Sequence, residues 1–344
     1  AFLLWHGVCY MPDVLLWTKG EQMKNSEIIG KLRVCAKNLL DVARQLQAMD
    51  RVESPRTEEL IEKLVASAKG GARVLNLPFV LGENEFGEDM VVELGRLPHL
   101  LIGGASGRGK TMCLNSLLAG LIGMKTPEDV RLIIYDPKCV EFVWANGVPH
   151  LATPVINDAS RMVQTLRWLV SETECRLKMF TRAYCRNIAE FNAWSGIGKR
   201  PADMPKSVSF LVVVIDELVD LLLSDGREAA QLIARITATG RAAGIHLVVA
   251  TSRPDSTMSS GLLKSNISGR LAFQTLSGVD SRAVIDDVGA ELLNGRGDFM
   301  FRNGSEEIVR GQGAYISAET MTKLVEDAKR KYGKPDYSMF KIFE

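Results

Sequence analysis

Residues 99–115, HLLIGGASGRGKTMCLN, hold the pattern that decides the fold. Residues 104–111 fit G-x-x-x-x-G-K-[ST], a glycine-rich loop whose successive backbone N–H groups can surround phosphate oxygens. The apolar residues before the loop predict a strand, and residues 112–122 after it predict a helix. A strand, this loop and a helix in that order predict a phosphate-binding site, whereas a glycine-rich turn without function is the alternative.

The side chains of this loop have expected roles at a bound nucleotide. Lys110 is expected to reach the β- and γ-phosphates, and the hydroxyl of Thr111 is expected to ligate Mg²⁺. ATP and Mg²⁺ are therefore the predicted cofactors. The residues predicted to hold them are the whole loop and one acid from a later strand: Gly104, Ala105, Ser106, Gly107, Arg108, Gly109, Lys110, Thr111 and Asp216.

Two later segments end in residues that suit the same chemistry. Residues 210–217, FLVVVIDE, read as a buried strand followed by two acids. Asp216 would hold magnesium through its water shell, and Glu217 would orient and activate the attacking water. Residues 246–254, HLVVATSRP, read as a strand that could place the hydroxyl of Ser252 near the γ-phosphate as a sensor of hydrolysis. An ordinary strand-to-loop boundary is the alternative for this last segment.

Composition limits the classes of protein that are possible. The 344 residues include 42 Lys and Arg against 41 Asp and Glu, so the net charge is +1 and any nucleic-acid contact needs a local concentration of basic residues. Six cysteines without a C-x-x-C pair predict reduced, mostly buried thiols. Four widely spaced histidines make a metal held by protein ligands alone unexpected.

Two regions are predicted along the chain. Residues 1–75 read as a small helical segment or linker, and residues 76–344 as an α/β domain with short apolar strands covered on both faces. Asn303-Gly304 predicts a hairpin that adds antiparallel strands to a parallel sheet. Residues 1–17 are apolar but interrupted, so we expect no complete transmembrane helix there, although an anchor could lie outside the chain. The predicted strands are 99–102, 132–135, 210–215, 247–250 and 271–273.

From about Leu77 to the C-terminus, the sequence resembles the motor domain of the FtsK/SpoIIIE DNA translocases. The resemblance implies a RecA-like P-loop NTPase fold, a homo-hexameric ring, and ATP-driven movement of double-stranded DNA of any sequence. It also implies a cytoplasmic domain of a bacterial protein associated with the inner membrane, acting in chromosome segregation or DNA transfer. The blocks that support it include 97–111, 136–142 (DPKCVEF), 166–176, 186–192, 212–222, 234–254, 261–274 and 280–300.

The resemblance assigns further roles to basic residues. Arg241 matches the family's proposed arginine finger, which would reach the γ-phosphate of an adjacent subunit, and Arg176 is a second candidate. Arg253 and Lys264 match basic positions that face DNA in the pore. A motor that tracks any sequence should contact phosphates rather than bases.

The sequence also departs from the family pattern. Arg108 stands where the family usually has Ser, and Ser252 replaces the Gln of A-T-Q-R-P. Lys110, Thr111, Asp216 and Glu217 are all present, so ATP hydrolysis is still expected. Two other functions remain open from the sequence: an ATPase of a type VII-like protein secretion system, and a nucleotide-gated assembly scaffold without turnover.

Overall fold

The computed structural model describes residues 76–340 except 98, 195–199, 255–265 and 305, and for Asp225 it describes the backbone alone. The predicted helical segment 1–75 and the predicted DNA contact Lys264 lie outside the described residues. The described residues all belong to one compact unit, Pro55–Glu344.

A nine-stranded mixed sheet forms the centre of the domain, in the order β2-β1-β9-β8-β7-β3-β6-β5-β4. The five strands from β7 to β4 are mutually parallel, and the remaining strands pair antiparallel. The strands are β1 Pro78–Asn84, β2 Asp89–Glu93, β3 Leu100–Gly103, β4 Val130–Tyr135, β5 Phe210–Ile215, β6 Ile245–Thr251, β7 Gly269–Phe273, β8 Asp298–Asn303 and β9 Val309–Gly313.

Six α-helices connect the described strands or follow them. Their N-terminal ends use side-chain caps that the sequence makes available, such as Asp158 on α2 and Ser317 on α6, which each accept a hydrogen bond from a backbone N–H three residues later. The helices are α1 Lys110–Met124, α2 Ala159–Arg182, α3 Ile188–Asn192, α4 Leu218–Ala243, α5 Gly278–Ile285 and α6 Ala318–Tyr332.

The parallel strands are buried on both faces because a hydrophobic layer covers each side of the sheet. Leu132 and Val212 lie in the layer that contains residues of α1 and α6. Their chain neighbours Ile133 and Val213 lie in the opposite layer, which contains residues of α2 and α4. This double burial explains why β4 and β5 are continuous apolar runs without polar alternation.

The structure confirms the predicted fold class and extends it. All five predicted parallel strands are present, and β8 and β9 form the predicted antiparallel addition, with Phe301 opposite Val309. Asn303 itself still pairs with Gly269, so the connection begins at Gly304 and is longer than a two-residue turn. Strands β1 and β2 were not predicted, and they lengthen the antiparallel part of the sheet.

The prediction of mostly buried, reduced cysteines is confirmed in part. The four described cysteines are free, but Cys139 and Cys175 are exposed whereas Cys113 and Cys185 are buried. In the described part of the chain, no helix is long and apolar enough to cross a membrane.

Candidate nucleotide-binding site

The loop at 104–111 has the backbone conformation that its glycines permit. Gly104, Gly107 and Gly109 have φ values of 149°, 72° and 123°, in the region that side chains disfavour. A Cβ on Gly104 would also lie 2.8 Å from the Cβ of Phe273. The first glycine of the loop is therefore required both for its φ and for its close approach to β7.

Hydrogen bonds to neighbouring elements fix the loop in place. The N–H of Ala105 donates to the carbonyl of Gln274 at 2.8 Å, and the N–H of Gly297 donates to the carbonyl of Arg108 at 3.1 Å. Ser106, Gly107 and Arg108 are exposed. Both ends of the loop are thus attached to the β7–β8 region, while its central backbone faces solvent and is available to an anion.

Lys110 is the first residue of α1, and its side chain turns back over the loop. Its Nζ donates to the carbonyls of Gly104 at 2.7 Å and Ala105 at 3.0 Å, and the side chain is buried. Burial lowers the pKa of this ammonium, whereas Glu217 and Asp216 act in the opposite direction. Together with the N-terminus of α1, this places positive charge where a nucleotide phosphate would bind.

Acidic residues gather at the adjacent ends of β4 and β5. Asp216 follows β5, and Asp136 follows β4 and is fully buried, with its carboxylate accepting hydrogen bonds from the backbone N–H groups of residues 138, 141 and 142. Burial, followed by the charges of Asp136, Glu141 and Glu217, raises the pKa of Asp216 to about 6. A cation at this position would relieve that repulsion.

This arrangement fits Mg²⁺ bound together with a nucleotide. Among the described residues, no group of three or more His, Cys, Asp or Glu side chains could hold a metal ion alone. Mg²⁺ usually takes one or two protein ligands and completes its shell with water and phosphate oxygens. Thr111 at the start of α1 and Asp216 at the end of β5 are the two residues that would supply such ligands.

Glu217 is buried and bonded to the end of β6. Its two carboxylate oxygens each accept a hydrogen bond from the N–H of Ser252 at 3.1 Å, and Oε2 also accepts one from the Ser252 hydroxyl at 2.5 Å. Thr251 pairs with Gly103 across β6 and β3, so this contact lies beside the start of the phosphate loop. The structure therefore brings Lys110, Glu217 and Ser252 together at the carboxyl ends of the parallel strands. Ser252, which was predicted to contact the γ-phosphate, is hydrogen-bonded there to Glu217.

Arg241 and Arg176 lie at the opposite end of the parallel strands, where β5 and β6 begin. α4 begins after Glu217 and has 26 residues, about 39 Å at 1.5 Å per residue, and Arg241 is in its last turn, exposed to solvent. Arg241 is therefore far from the phosphate loop of its own chain. This placement suits a residue that acts on another subunit.

Arg176, the second predicted finger, needs a correction. Only 2% of it is exposed; its Nη1 donates to the carbonyls of Ser209 and Ala243, and its Nε pairs with Glu172 at 2.7 Å. The guanidinium joins α2 to the start of β5 and the end of α4. A side chain enclosed in this way cannot extend to a neighbouring subunit, so its role here is structural.

Of the two predicted DNA contacts, only Arg253 falls within the described residues. It is exposed, and its N–H donates to the Thr251 hydroxyl at 3.2 Å, which ties the turn after β6. Arg253 thus lies at the same edge of the sheet as Glu217, directly after the residue that contacts that acid.

Asp136 and Gln274 are the contributors to the site that the sequence analysis did not assign. Asp136 shapes the loop beside Asp216, and the carbonyl of Gln274 holds the phosphate loop. Asp136 carries a recognisable signal, because it follows an apolar run in the same way as Asp216 does. Gln274 acts through its backbone, for which the sequence has no signal.

The family model for the FtsK/SpoIIIE family matches residues 61–256, more than half of the chain. The chain belongs to the FtsK/SpoIIIE family. Proteins named DNA translocase FtsK are 38% identical over 82% of the chain in Treponema pallidum (strain Nichols) and 40% identical over 74% in Clostridium tetani (strain Massachusetts / E88). The chain spans only 35% and 34% of the lengths of these two relatives.

Solved structures agree with the P-loop ATPase fold of this family member. The pCW3 conjugation coupling protein TcpA, in a monomer form with ATPγS, is 25% identical, with a TM-score of 0.61 over 74% of this chain and 71% of its own. The cytoplasmic domain of the Thermomonospora curvata type VII secretion ATPase EccC has a TM-score of 0.63 over 75% of this chain and 32% of its own, and at 22% identity it supports the fold alone.

Proposed function

We propose that this FtsK/SpoIIIE-family domain hydrolyses ATP with Mg²⁺ and uses the energy to move double-stranded DNA without sequence preference. The supporting observation is the site itself: the phosphate loop with Lys110 and the pair Asp216-Glu217 lie at one edge of the parallel sheet. Relatives named DNA translocase FtsK align over most of the chain, and they are the reason for proposing duplex DNA as the substrate.

Each residue has a defined part in this proposal. The N–H groups of residues 104–111 and Lys110 would bind the phosphates, and Mg²⁺, when bound, would supply neutralisation of phosphate charge. Thr111 and Asp216 would hold the metal, and Glu217 would accept a proton from the attacking water. Ser252 was expected to sense the γ-phosphate, but its bonds to Glu217 favour a role through that acid.

The proposal includes a homo-hexameric ring in which Arg241 of one subunit completes the site of the next. Arg241 lies at the end of the parallel strands opposite the phosphate loop, too far away to reach the site of its own chain. This position supports the assignment. Arg253 and Lys264 are proposed to contact DNA phosphates in the pore. A location at the cytoplasmic side of a membrane, with a role in chromosome segregation or transfer, belongs to the same proposal.

ATP turnover with and without linear duplex DNA tests the function. We expect duplexes of unrelated sequence to raise kcat severalfold, and the stimulation to weaken as salt rises, because phosphate contacts dominate. Displacement of a third strand from the end of a long duplex would report movement. Lack of stimulation by DNA together with stimulation by a peptide would favour a secretion ATPase, and no turnover under any condition would favour a scaffold.

Two substitutions assign the chemistry within that assay. Lys110→Ala is expected to abolish nucleotide binding because it removes the ammonium over the loop. Glu217→Gln is expected to keep binding and to lower kcat by at least about 100-fold, the usual range for loss of a general base. Lys323→Ala, an exposed lysine on α6, is the matched control and should turn over like the wild type. Wild-type kcat in Glu217→Gln would refute the assignment of the base.

A further inference from the structure

Ser252 makes an unusually complete set of hydrogen bonds to the proposed general base. Its N–H is 3.1 Å from each carboxylate oxygen of Glu217, and its hydroxyl is 2.5 Å from Oε2. The acid is 5% exposed, and Ser252 is half-buried. One residue at the end of β6 thus supplies donors to both oxygens of Glu217.

These bonds compete with the chemistry that Glu217 is expected to perform. An ionised carboxylate offers about four acceptor positions, and a general base must direct one of them at the proton of the attacking water. Ser252 occupies three of these positions and fixes the plane of the carboxylate against β6. One acceptor position is left and these contacts fix its direction, so a water that lies outside that direction can pass a proton to the acid only if some of the contacts loosen.

Ser252 is also connected to the proposed DNA contact by a single peptide bond. Arg253, the next residue, is exposed and follows a turn in which its N–H donates to Thr251. Thr251 is fully buried at the end of β6, and Pro254 is buried on the other side. Because Thr251 and Pro254 are both buried, a movement of Arg253 is expected to shift Ser252, the residue between Thr251 and Arg253.

We propose that Ser252 is a positioning residue that restrains Glu217, and that contact of Arg253 with a DNA phosphate releases this restraint. The inference rests on the proposed DNA-dependent ATPase and specifies how its substrate switches on hydrolysis. Duplex DNA would raise kcat by freeing the base, and nucleotide affinity would stay the same because the phosphate loop is not involved.

Ser252→Ala tests the restraint by removing the hydroxyl donor while the two N–H contacts remain. We expect kcat without DNA to rise by about fivefold or more, in line with the loss of one hydrogen bond to a charged group. The KM for ATP and the affinity for a fluorescent nucleotide should stay at wild-type values. The ratio of the rates with and without duplex should fall by a similar factor.

Ser252→Thr is the matched control because it keeps the hydroxyl, and its DNA-free rate should stay low. Ser252→Cys, with a weaker donor, should lie between the wild type and Ser252→Ala, and it replaces Ser252→Ala if that variant does not fold. A variant that binds nucleotide with the affinity of the wild type is taken to be folded. A DNA-free kcat in Ser252→Ala that is equal to or below the wild-type value would overturn the inference.

Arg253→Ala tests the link to DNA. The ratio of its rates with and without duplex should be lower than that of the wild type at all DNA concentrations, whereas Ser252→Ala/Arg253→Ala should turn over faster without DNA than Arg253→Ala does. If wild-type turnover does not respond to duplex, the proposed function and the DNA link are both wrong. The DNA-free rate of Ser252→Ala then still tests whether Ser252 restrains Glu217. If the wild type responds but Arg253→Ala responds equally, the link through Arg253 alone is overturned.

Discussion

At the scale of single residues, His99 illustrates how burial changes the chemistry of a side chain. It precedes β3, is fully buried, and its Nδ1 accepts a hydrogen bond from the N–H of Leu247 at 3.0 Å. Burial, followed by the charge of His246 nearby, lowers its pKa to about 3. The ring is therefore neutral in the folded protein and serves as an acceptor that joins the start of β3 to β6.

The pKa of His99 predicts a loss of stability in acid. The ordinary value is 6.5, so below pH 6.5 the unfolded chain binds a proton that the folded chain does not, and stability falls as the pH falls toward 3. We expect His99 to cost about 1.4 kcal/mol for each pH unit below 6.5. His150, whose pKa burial also lowers, acts in the same direction.

Urea unfolding at about pH 7.5 and about pH 5.5 measures this effect. His99→Asn keeps an acceptor for the N–H of Leu247 but cannot take up the proton in the unfolded state. The free energy of unfolding of this variant should therefore fall less between the two pH values than that of the wild type, by about 1.4 kcal/mol. Equal losses in the two proteins would contradict the assignment of His99 as the responsible group.

The residues of the site divide into those that a local pattern predicts and those that it does not. Lys110, Asp216 and Glu217 follow strands whose apolar runs are visible in the sequence, and parallel strands end at one edge, so their meeting was predictable. The bonds of Ser252 to Glu217 and the burial of Arg176 depend on segments distant in sequence. Ser209 and Ala243, which bind Arg176, have no sequence feature that points to it.

At the scale of elements, the same distinction explains which strands were predicted. The parallel strands are buried on both faces and appear as uninterrupted apolar runs. β1 and β2 lie at the antiparallel edge of the sheet, and β2 has no fully buried residue. Such a short strand, half-exposed and close to Gly82 and Gly87, has too little periodicity to separate from a loop.

The packing of α5 on β3 depends on Gly103, the last residue of that strand. A Cβ built on Gly103 would lie 2.2 Å from Cγ2 of Val284. Gly103→Ala should therefore push α5 away from the strand and destabilise the domain by about 1–3 kcal/mol. In a Val284→Ala background the same change should cost much less, because the colliding methyl groups are gone.

Urea unfolding of the two single variants and the double variant gives the coupling between these positions. Gly226→Ala is the matched control, because a Cβ there would meet nothing closer than 3.9 Å and the residue is inside α4. It should leave stability unchanged or raise it by about 1 kcal/mol through helix propensity. Additive costs for Gly103→Ala and Val284→Ala would refute the steric origin.

At the scale of the whole molecule, the residues assigned to the proposed site lie at two opposite ends of the parallel strands. The phosphate loop and Glu217 lie where the parallel strands end, while Arg241 is exposed in the last turn of α4, close to where β6 begins. The proposed role of Arg241 would therefore need two subunits, with the phosphate loop of one facing Arg241 of the other. Such a head-to-tail contact is heterologous, and it forms the proposed ring if its rotation closes.

Mixing two inactive variants tests this division directly. An Arg241→Ala subunit retains Glu217, and a Glu217→Gln subunit retains Arg241. In rings assembled from equal amounts of both, about one quarter of the contacts should join an intact Glu217 to an intact Arg241. ATP turnover of the mixture should therefore exceed that of either variant alone, because those contacts hold every required group.

Arg235→Ala is the control for this experiment. Arg235 is also an exposed arginine of α4, but it pairs with Glu174 of its own chain at 2.9 Å. Its variant should be active by itself and should not alter the turnover of Glu217→Gln subunits beyond simple dilution. If the mixture of Arg241→Ala and Glu217→Gln recovers no activity while rings of mixed composition form, Arg241 does not act across the subunit contact, and its assignment as the arginine finger is wrong.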